Sequence, residues 1–188
     1  MSILSSLSNF FQPHSFTYKA PGPTSPIAPA SLLAALIQNN QSEKSNKDRD
    51  LLAKVIFGEA ASEGKNDQEK LQAMSAVAST IKNRAKNTGK GLVEEATKPN
   101  QYTAYSNYLY WDSLNKKIAE PIAKKTYQMA TKVADDLISG SLPDTTSGST
   151  FYYNPKKVKQ TPSWAKNKTP TTIIGNHQFY KNIAPYNE

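Results

Sequence analysis

Residues 51–60 read Leu-Leu-Ala-Lys-Val-Ile-Phe-Gly-Glu-Ala, with apolar side chains at Leu51, Leu52, Val55 and Ile56. The next position on that stripe is Glu59. Spacings of three and four put these residues on one face of an α-helix. Any fold for this chain must therefore pack a helix whose inner side carries a carboxyl group where a Leu is expected. Burial disfavours the charged form of a carboxyl and raises its pKa, by ~3–5 units when desolvation is complete. A carboxyl that keeps its proton near neutral pH is what a general acid requires. Gly58 beside it leaves room for something to approach the backbone. The same pattern also fits a Glu that ends the helix and turns to solvent, as most Glu do.

The chain around this stretch is 188 residues long, enough for one domain with a sizeable core. Its formal charge of +8 favours polyanionic partners: nucleic acid, an anionic membrane surface or bacterial wall polymer. With no Cys there are no disulfides or thiolate metal sites, and two histidines, His14 and His177, argue against a His-based zinc site. No apolar run approaches the ~20 residues that cross a bilayer. Residues 1–11 lack a basic start and a long apolar centre, so they make a poor secretory signal. Ten tyrosines and the charge would suit a nucleic-acid binder. The lysines are dispersed apart from one loop, however, and no recognition motif is present.

In chain order, residues 1–45 read as a Pro-rich and polar extension, partly ordered, with a domain over residues 46–188. Prolines 13, 21, 23, 26 and 29 interrupt any early helix. Residues 31–38 could form a short amphipathic helix, and 39–47 a polar linker. The Glu59 helix is expected to start near Asp48, capped by Asp48 or Asn46. A second helix is expected from about Asp67 to Lys86, with Leu71, Met74, Val77, Ala78, Ile81 and Ala85 as its stripe and many small residues for close packing. Residues 92–97 form a short helix or turn, and 100–105 an irregular aromatic and amide-rich segment that Tyr108, Tyr110 and Trp111 extend. Pro121 opens a third long helix that ends at Gly140. The period then changes: 151–153 reads as a short strand, and 171–174 and 177–180 as strands joined by Gly175-Asn176, a two-residue hairpin signal. The fold class is α+β, mainly helical, with a small C-terminal β-hairpin.

Several motifs in order resemble one family. They are Leu52-Ala53 through Gly58-Glu59-Ala60 and Glu63-Gly64; Ala76-Val77-Ala78 through Asn83-Arg84; Pro99-Asn100-Gln101-Tyr102-Thr103; Gly140 through Pro143-Asp144; Phe151-Tyr152-Tyr153-Asn154-Pro155; Pro162-Ser163-Trp164; and Ile174-Gly175-Asn176-His177-Gln178-Phe179-Tyr180. The pattern is similar to the bacterial cell wall hydrolases typified by the spore-cortex-lytic (SleB-like) enzymes. Ala61-Ser62 stands where that family usually has Arg-Gly, residues 65–68 look inserted, and Tyr102-Thr103 replaces Phe-Ser. The resemblance implies a lysozyme-like domain of the lytic transglycosylase branch, acting on peptidoglycan glycan strands without cofactor or metal.

The resemblance makes Glu59 the catalytic residue, a single acid/base that cleaves the β-1,4 MurNAc–GlcNAc bond and leaves 1,6-anhydro-MurNAc ends. The alternatives are a lysozyme-type muramidase that uses water, and a wall-binding module without turnover. Gln101, Tyr102 and Thr103 offer an amide, a ring and a hydroxyl for substrate. Strand alternation sends Tyr152 and Tyr153 to opposite faces; Tyr153, with Asn154, is the expected partner of Glu59 or substrate, and Tyr152, expected to pack inward, is a secondary candidate for the site. His177 is expected to pin the hairpin by a hydrogen bond or to touch substrate. Glu63 is either a second carboxylate or a loop residue, and Trp164 a lid, a packing residue or a sugar platform. Asp67, Glu94 and Glu95 read as solvated helix-end charges. The chain is expected to be a monomer unless its extension mediates assembly. It should act on the bacterial wall and get there by phage-lysin, virion-associated or other non-classical delivery.

Overall fold

The computed structural model describes residues 29–99, 101–102, 105, 113–116, 118 and 120–183. The sequence expectations for residues 1–28, Asn100, Thr103, Tyr108, Tyr110 and Trp111 lie outside the described residues. The chain divides into two compact units, Met1–Asn39 and Asn40–Glu188. Of the first, the described part is helical, with Leu32, Leu33, Leu36 and Ile37 exposed.

Helix α1 spans Pro29–Ala60 as one element. The expected break at 39–47 does not occur. No Gly or Pro lies between Pro29 and Gly58, and an exposed helix needs no apolar stripe to continue. Only its final turns are core, where Leu52, Ala53, Val55, Ile56, Phe57 and Ala60 are almost wholly buried. After Ala60 the chain tightens: Ala61 N–H donates to Phe57 O (2.8 Å) and Glu63 N–H to Ala60 O (3.0 Å). Gly64 then turns at φ +82°, where a Cβ would lie 2.6 Å from Glu69 Cβ and 2.7 Å from Lys70 N, so only glycine fits.

Helix α2, Asp67–Thr88, is the central helix. Asn66 caps it by accepting from Glu69 N–H, and the Glu69 carboxylate accepts in return from Lys65 N–H and Asn66 Nδ2, which closes the first turn. The helix runs past Asn83-Arg84 to a left-handed Gly89, whose N–H donates to Ala85 O. Buried Ala73, Met74, Ala76, Val77, Ala78 and Ile81 lie on more than one face, which the small side chains permit while neighbours close in. Helix α3 is Leu92–Ala96, and α4 is Pro121–Ile138 with Gly140 left-handed beyond its end. The ends of α1, α2 and α4 share one core of Leu52, Val55, Phe57, Met74, Val77, Ile81, Val133 and Leu137.

Three short strands follow: β1, Phe151–Tyr153; β2, Thr172–Ile174; and β3, His177–Tyr180. They form an antiparallel sheet in the order β1-β3-β2. Ile174 pairs with His177 across the two-residue turn. Gly175 is left-handed there and Asn176 is not, the pattern of a type II′ turn. Tyr152, His177 and Phe179 share one face of the sheet, with ring centroids 5.0 and 5.4 Å from Tyr152. On the other face Phe151, Tyr153 and Tyr180 gather around Trp164, which a 3₁₀ turn at Ser163–Ala165 presents. The result is α+β and mainly helical, as the change of period after Gly140 implies.

Candidate active site

The inner face of the sheet meets the end of α1 at Glu59. The Tyr152 hydroxyl donates to Glu59 Oε2 at 3.1 Å. Strand alternation therefore resolves in favour of Tyr152, not Tyr153, as the residue that reaches Glu59. Tyr153 stacks on Tyr180 at 5.9 Å on the opposite face. Glu59 itself is half-buried, so its carboxyl is neither sealed in the core nor turned out to bulk water. Burial, with the Glu59 charge next in order, pushes the Tyr152 hydroxyl well above the ordinary tyrosine range. Tyr152 thus stays a neutral donor at every working pH.

Tyr102 is 1% exposed and belongs to the helical core. Burial above all, opposed by Arg84 and aided by Glu95 and Glu59, holds its hydroxyl well above its usual range. A ring so enclosed offers no face to a sugar, which corrects the expectation of stacking. Gln101 is half-buried in a turn whose N–H donates to Lys98 O at 3.3 Å, and Thr103 lies outside the described residues.

Behind Tyr102 and Tyr152 lies a buried ion pair. Arg84 Nε donates to Glu95 Oε1 at 2.8 Å, and Thr88 Oγ1 to Glu95 Oε2 at 3.2 Å. Glu95 is 1% exposed, so it is not a solvated helix-end charge. Its position three residues after Leu92 puts it on the inner side of α3. Arg84 also lies over the Phe151 ring at 5.0 Å, while Asn83 Nδ2 donates to Ser149 O at 3.1 Å. Asn83 and Arg84 thereby tie α2 to the segment that enters β1.

Glu63 is in a different situation from Glu59, although it stands four residues away. It is 1% exposed. Asn154 Nδ2 and Lys157 Nζ each donate to Oε1 at 3.1 Å; Asn176 Nδ2 (2.9 Å) and N–H (3.4 Å) donate to Oε2. Burial works against its charge, but the hydrogen bonds from Asn176 and Lys157 and the nearby His177 outweigh it, and the carboxyl is held below its ordinary value. Asn154 is buried and also accepts from Lys156 N–H, so both ends of its amide are engaged within the protein.

His177 is buried edge-on against Tyr152 and Phe179, and desolvation lowers its pKa. Its Nδ1 is buried without a hydrogen-bond partner, so ring packing rather than a hydrogen bond at that nitrogen fixes it in the hairpin. Among the described residues no three His, Asp or Glu side chains gather into a set that could hold a metal ion, and no helix is long and apolar enough to cross a membrane. Nothing in the sequence links Lys157 and Asn176, which complete the surroundings of Glu63, to that residue. Their partner is 94 and 113 residues away.

Residues 68–180 match the family described as Cell Wall Hydrolase, a span that begins after Glu59 and Glu63. The fold is similar to the catalytic domain of the germination-specific lytic transglycosylase SleB from Bacillus anthracis, with 23% identity, a TM-score of 0.51, and coverage of 71% of this chain and 93% of that one. The catalytic domain of the Bacillus cereus SleB protein gives 24% identity, a TM-score of 0.49, and coverage of 72% and 91%. Among curated proteins no relative is found.

Proposed function

The chain belongs to the Cell Wall Hydrolase family, and from that premise we propose that it is a lytic transglycosylase of peptidoglycan with Glu59 as its single acid/base. The observation that carries this reading is the contrast between two neighbouring carboxyls. Glu59 is half-exposed on the inner face of the sheet with a neutral donor, Tyr152, on one oxygen. Glu63 is sealed, and its lone pairs are occupied by four donors. Most glycosidases that use water or a protein nucleophile work with a pair of carboxyls. Transglycosylation needs one, because the attacking hydroxyl belongs to the substrate and gains from proximity.

In this mechanism Glu59 donates its proton to the leaving GlcNAc O4 as the bond from MurNAc C1 breaks. The resulting carboxylate is stabilised by the Tyr152 hydroxyl. The C6 hydroxyl of the same MurNAc then bonds to C1 and returns its proton to Glu59, which closes the 1,6-anhydro ring and restores the starting acid. Mass spectrometry of digested sacculi tests the reading. Anhydro ends that vanish in Glu59→Gln, with folding retained, are the expected result. Reducing ends would mean that water attacks, and full lysis by Glu59→Gln would remove Glu59 from the chemistry.

A further inference from the structure

Glu63 lies where three parts of the chain meet. It follows Glu59 by four residues through the tight turn closed by Glu63 N–H and Ala60 O. Its Oε1 holds Asn154 and Lys157, from the exit of β1, and its Oε2 holds Asn176, from the turn between β2 and β3. Asn154 comes two residues after Tyr152, and Asn176 immediately precedes His177, whose ring packs on Tyr152. Apart from their own hydrogen bond, the Glu59 and Tyr152 backbones are thus linked through the Glu63 carboxylate, with four residues on one side and two on the other. Both strands that flank the Tyr152 ring are fastened at that one point. Every lone-pair direction of the carboxylate is already used, so it is not available to take a proton from water or sugar.

We propose that Glu63 is a positioning residue: with Asn154, Lys157 and Asn176 it forms a buried clasp that holds the β-sheet against the end of α1 at the separation the Tyr152–Glu59 hydrogen bond requires. This rests on Glu59 being the acid/base. The clasp acts on the rate through Tyr152. A hydroxyl that donates to a carboxylate favours its charged form, which is the form Glu59 takes once it has given up its proton. A displacement of about 1 Å at such a contact is enough to cost ~100-fold in rate. Lys157 is the exposed member, with its side chain 58% open to solvent, so the clasp can be loosened from outside without opening the core.

The test compares Glu63→Gln, Lys157→Met and the double variant Glu63→Gln/Asn176→Asp on purified sacculi, with circular dichroism to confirm folding. Glu63→Gln turns one acceptor of the clasp into an amide N–H₂, which faces donors on either side and faces those of Asn176 when it takes the place of Oε2. The expected result is a kcat lowered by about 10- to 100-fold, a KM within about twofold of the parent, and an alkaline limb of the pH–rate profile moved to higher pH, because the loosened Tyr152 no longer favours the charged acid. Asn176→Asp returns an acceptor opposite that amide and restores part of the rate. Lys157→Met gives the same pattern at smaller amplitude, and it carries the test if Glu63→Gln does not fold. A loss of general stability alone would lower the amount of active enzyme without moving the limb. The proposal is overturned if folded Glu63→Gln, or Lys157→Met in its place, keeps the parental kcat and pH limb, or loses activity through KM alone. Glu59→Gln run alongside separates the two ideas: lysis there sinks the acid/base assignment, whereas a silent Glu63 sinks only the clasp.

Discussion

The hydroxyl of Tyr152 can be removed without disturbing its ring. Tyr152→Phe keeps the packing on His177 at 5.0 Å and on Phe179 at 5.4 Å, and deletes one donor, 3.1 Å from Glu59 Oε2. A hydrogen bond to a charged group contributes about 1.5–3 kcal/mol. Glu59 is half-buried, so solvent screens part of this and the lower end of the range applies. About 1.5–2 kcal/mol of transition-state stabilisation corresponds to a loss of roughly 10- to 30-fold in kcat. The same difference, at 1.36 kcal/mol per unit, moves the alkaline limb of the pH–rate profile upward by about one unit, because the acid then holds its proton to higher pH. The assay is initial-rate release of anhydro ends from purified sacculi between pH 4 and 9, with the melting temperature as a control expected to change little. A kcat within twofold of the parent and an unmoved limb would falsify the claim that Tyr152 stabilises the charged form of Glu59.

Two further outcomes are expected. Glu95→Gln leaves Arg84, only 12% exposed, without its counter-charge. The cost of breaking such a buried pair is about 3–5 kcal/mol, which calorimetry should register as a fall in melting temperature on the order of 10 °C; an unchanged melting temperature would contradict the pair's burial. The melting temperature should also decline as the solution is acidified, in two stages. His177 is buried with its pKa below the ordinary 6.5, so the unfolded chain takes up a proton that the folded chain refuses, and stability starts to fall as pH drops below about 6.5. Glu63 has a folded pKa below its ordinary 4.5, so its contribution is present above 4.5 and is lost as pH falls through the folded value. His177→Gln should flatten the first stage and Glu63→Gln the second; a parental profile in both would refute the linkage.

Much of the architecture is written in local patterns. The left-handed glycine after α4, Pro121 at its start and the Gly175-Asn176 turn are each dictated by backbone sterics within a few residues, so the sequence carries them openly. Glu59 is legible for the same reason, as a polar residue on an apolar stripe. What does not show locally is which polar side chains become interior. Residues 39–47 lack any stripe and read as linker, yet with no helix breaker nearby they continue α1. Glu95 reads as a surface charge until Arg84 is brought to it by the packing of α3 on α2. Tyr152 and Tyr153 alternate as the strand demands, but which one faces Glu59 depends on how β1 docks on β3, and that register is set by partners far away in the chain.

On the proposed mechanism, the two glutamates at the end of α1 divide a reactive role from a structural one within one short segment. Had the helix continued past Ala60, Glu63 would stand one turn above Glu59, two like charges would share a site, and each would raise the other's proton affinity. The turn at residues 61–64, which Gly64 alone can close, instead swings Glu63 away into a ring of amide and ammonium donors. There it stays charged and spent. Glu59 keeps its place on the last helical turn, beside a tyrosine that remains neutral and can only donate. A helix that stops one turn earlier or later would abolish this division, so inserting one alanine between Ala60 and Ala61 should cost far more activity than the same insertion at residue 45, in the exposed stretch of α1. Equal effects at the two positions, measured as anhydro ends per folded enzyme, would mean that the end of α1 does not set the chemistry.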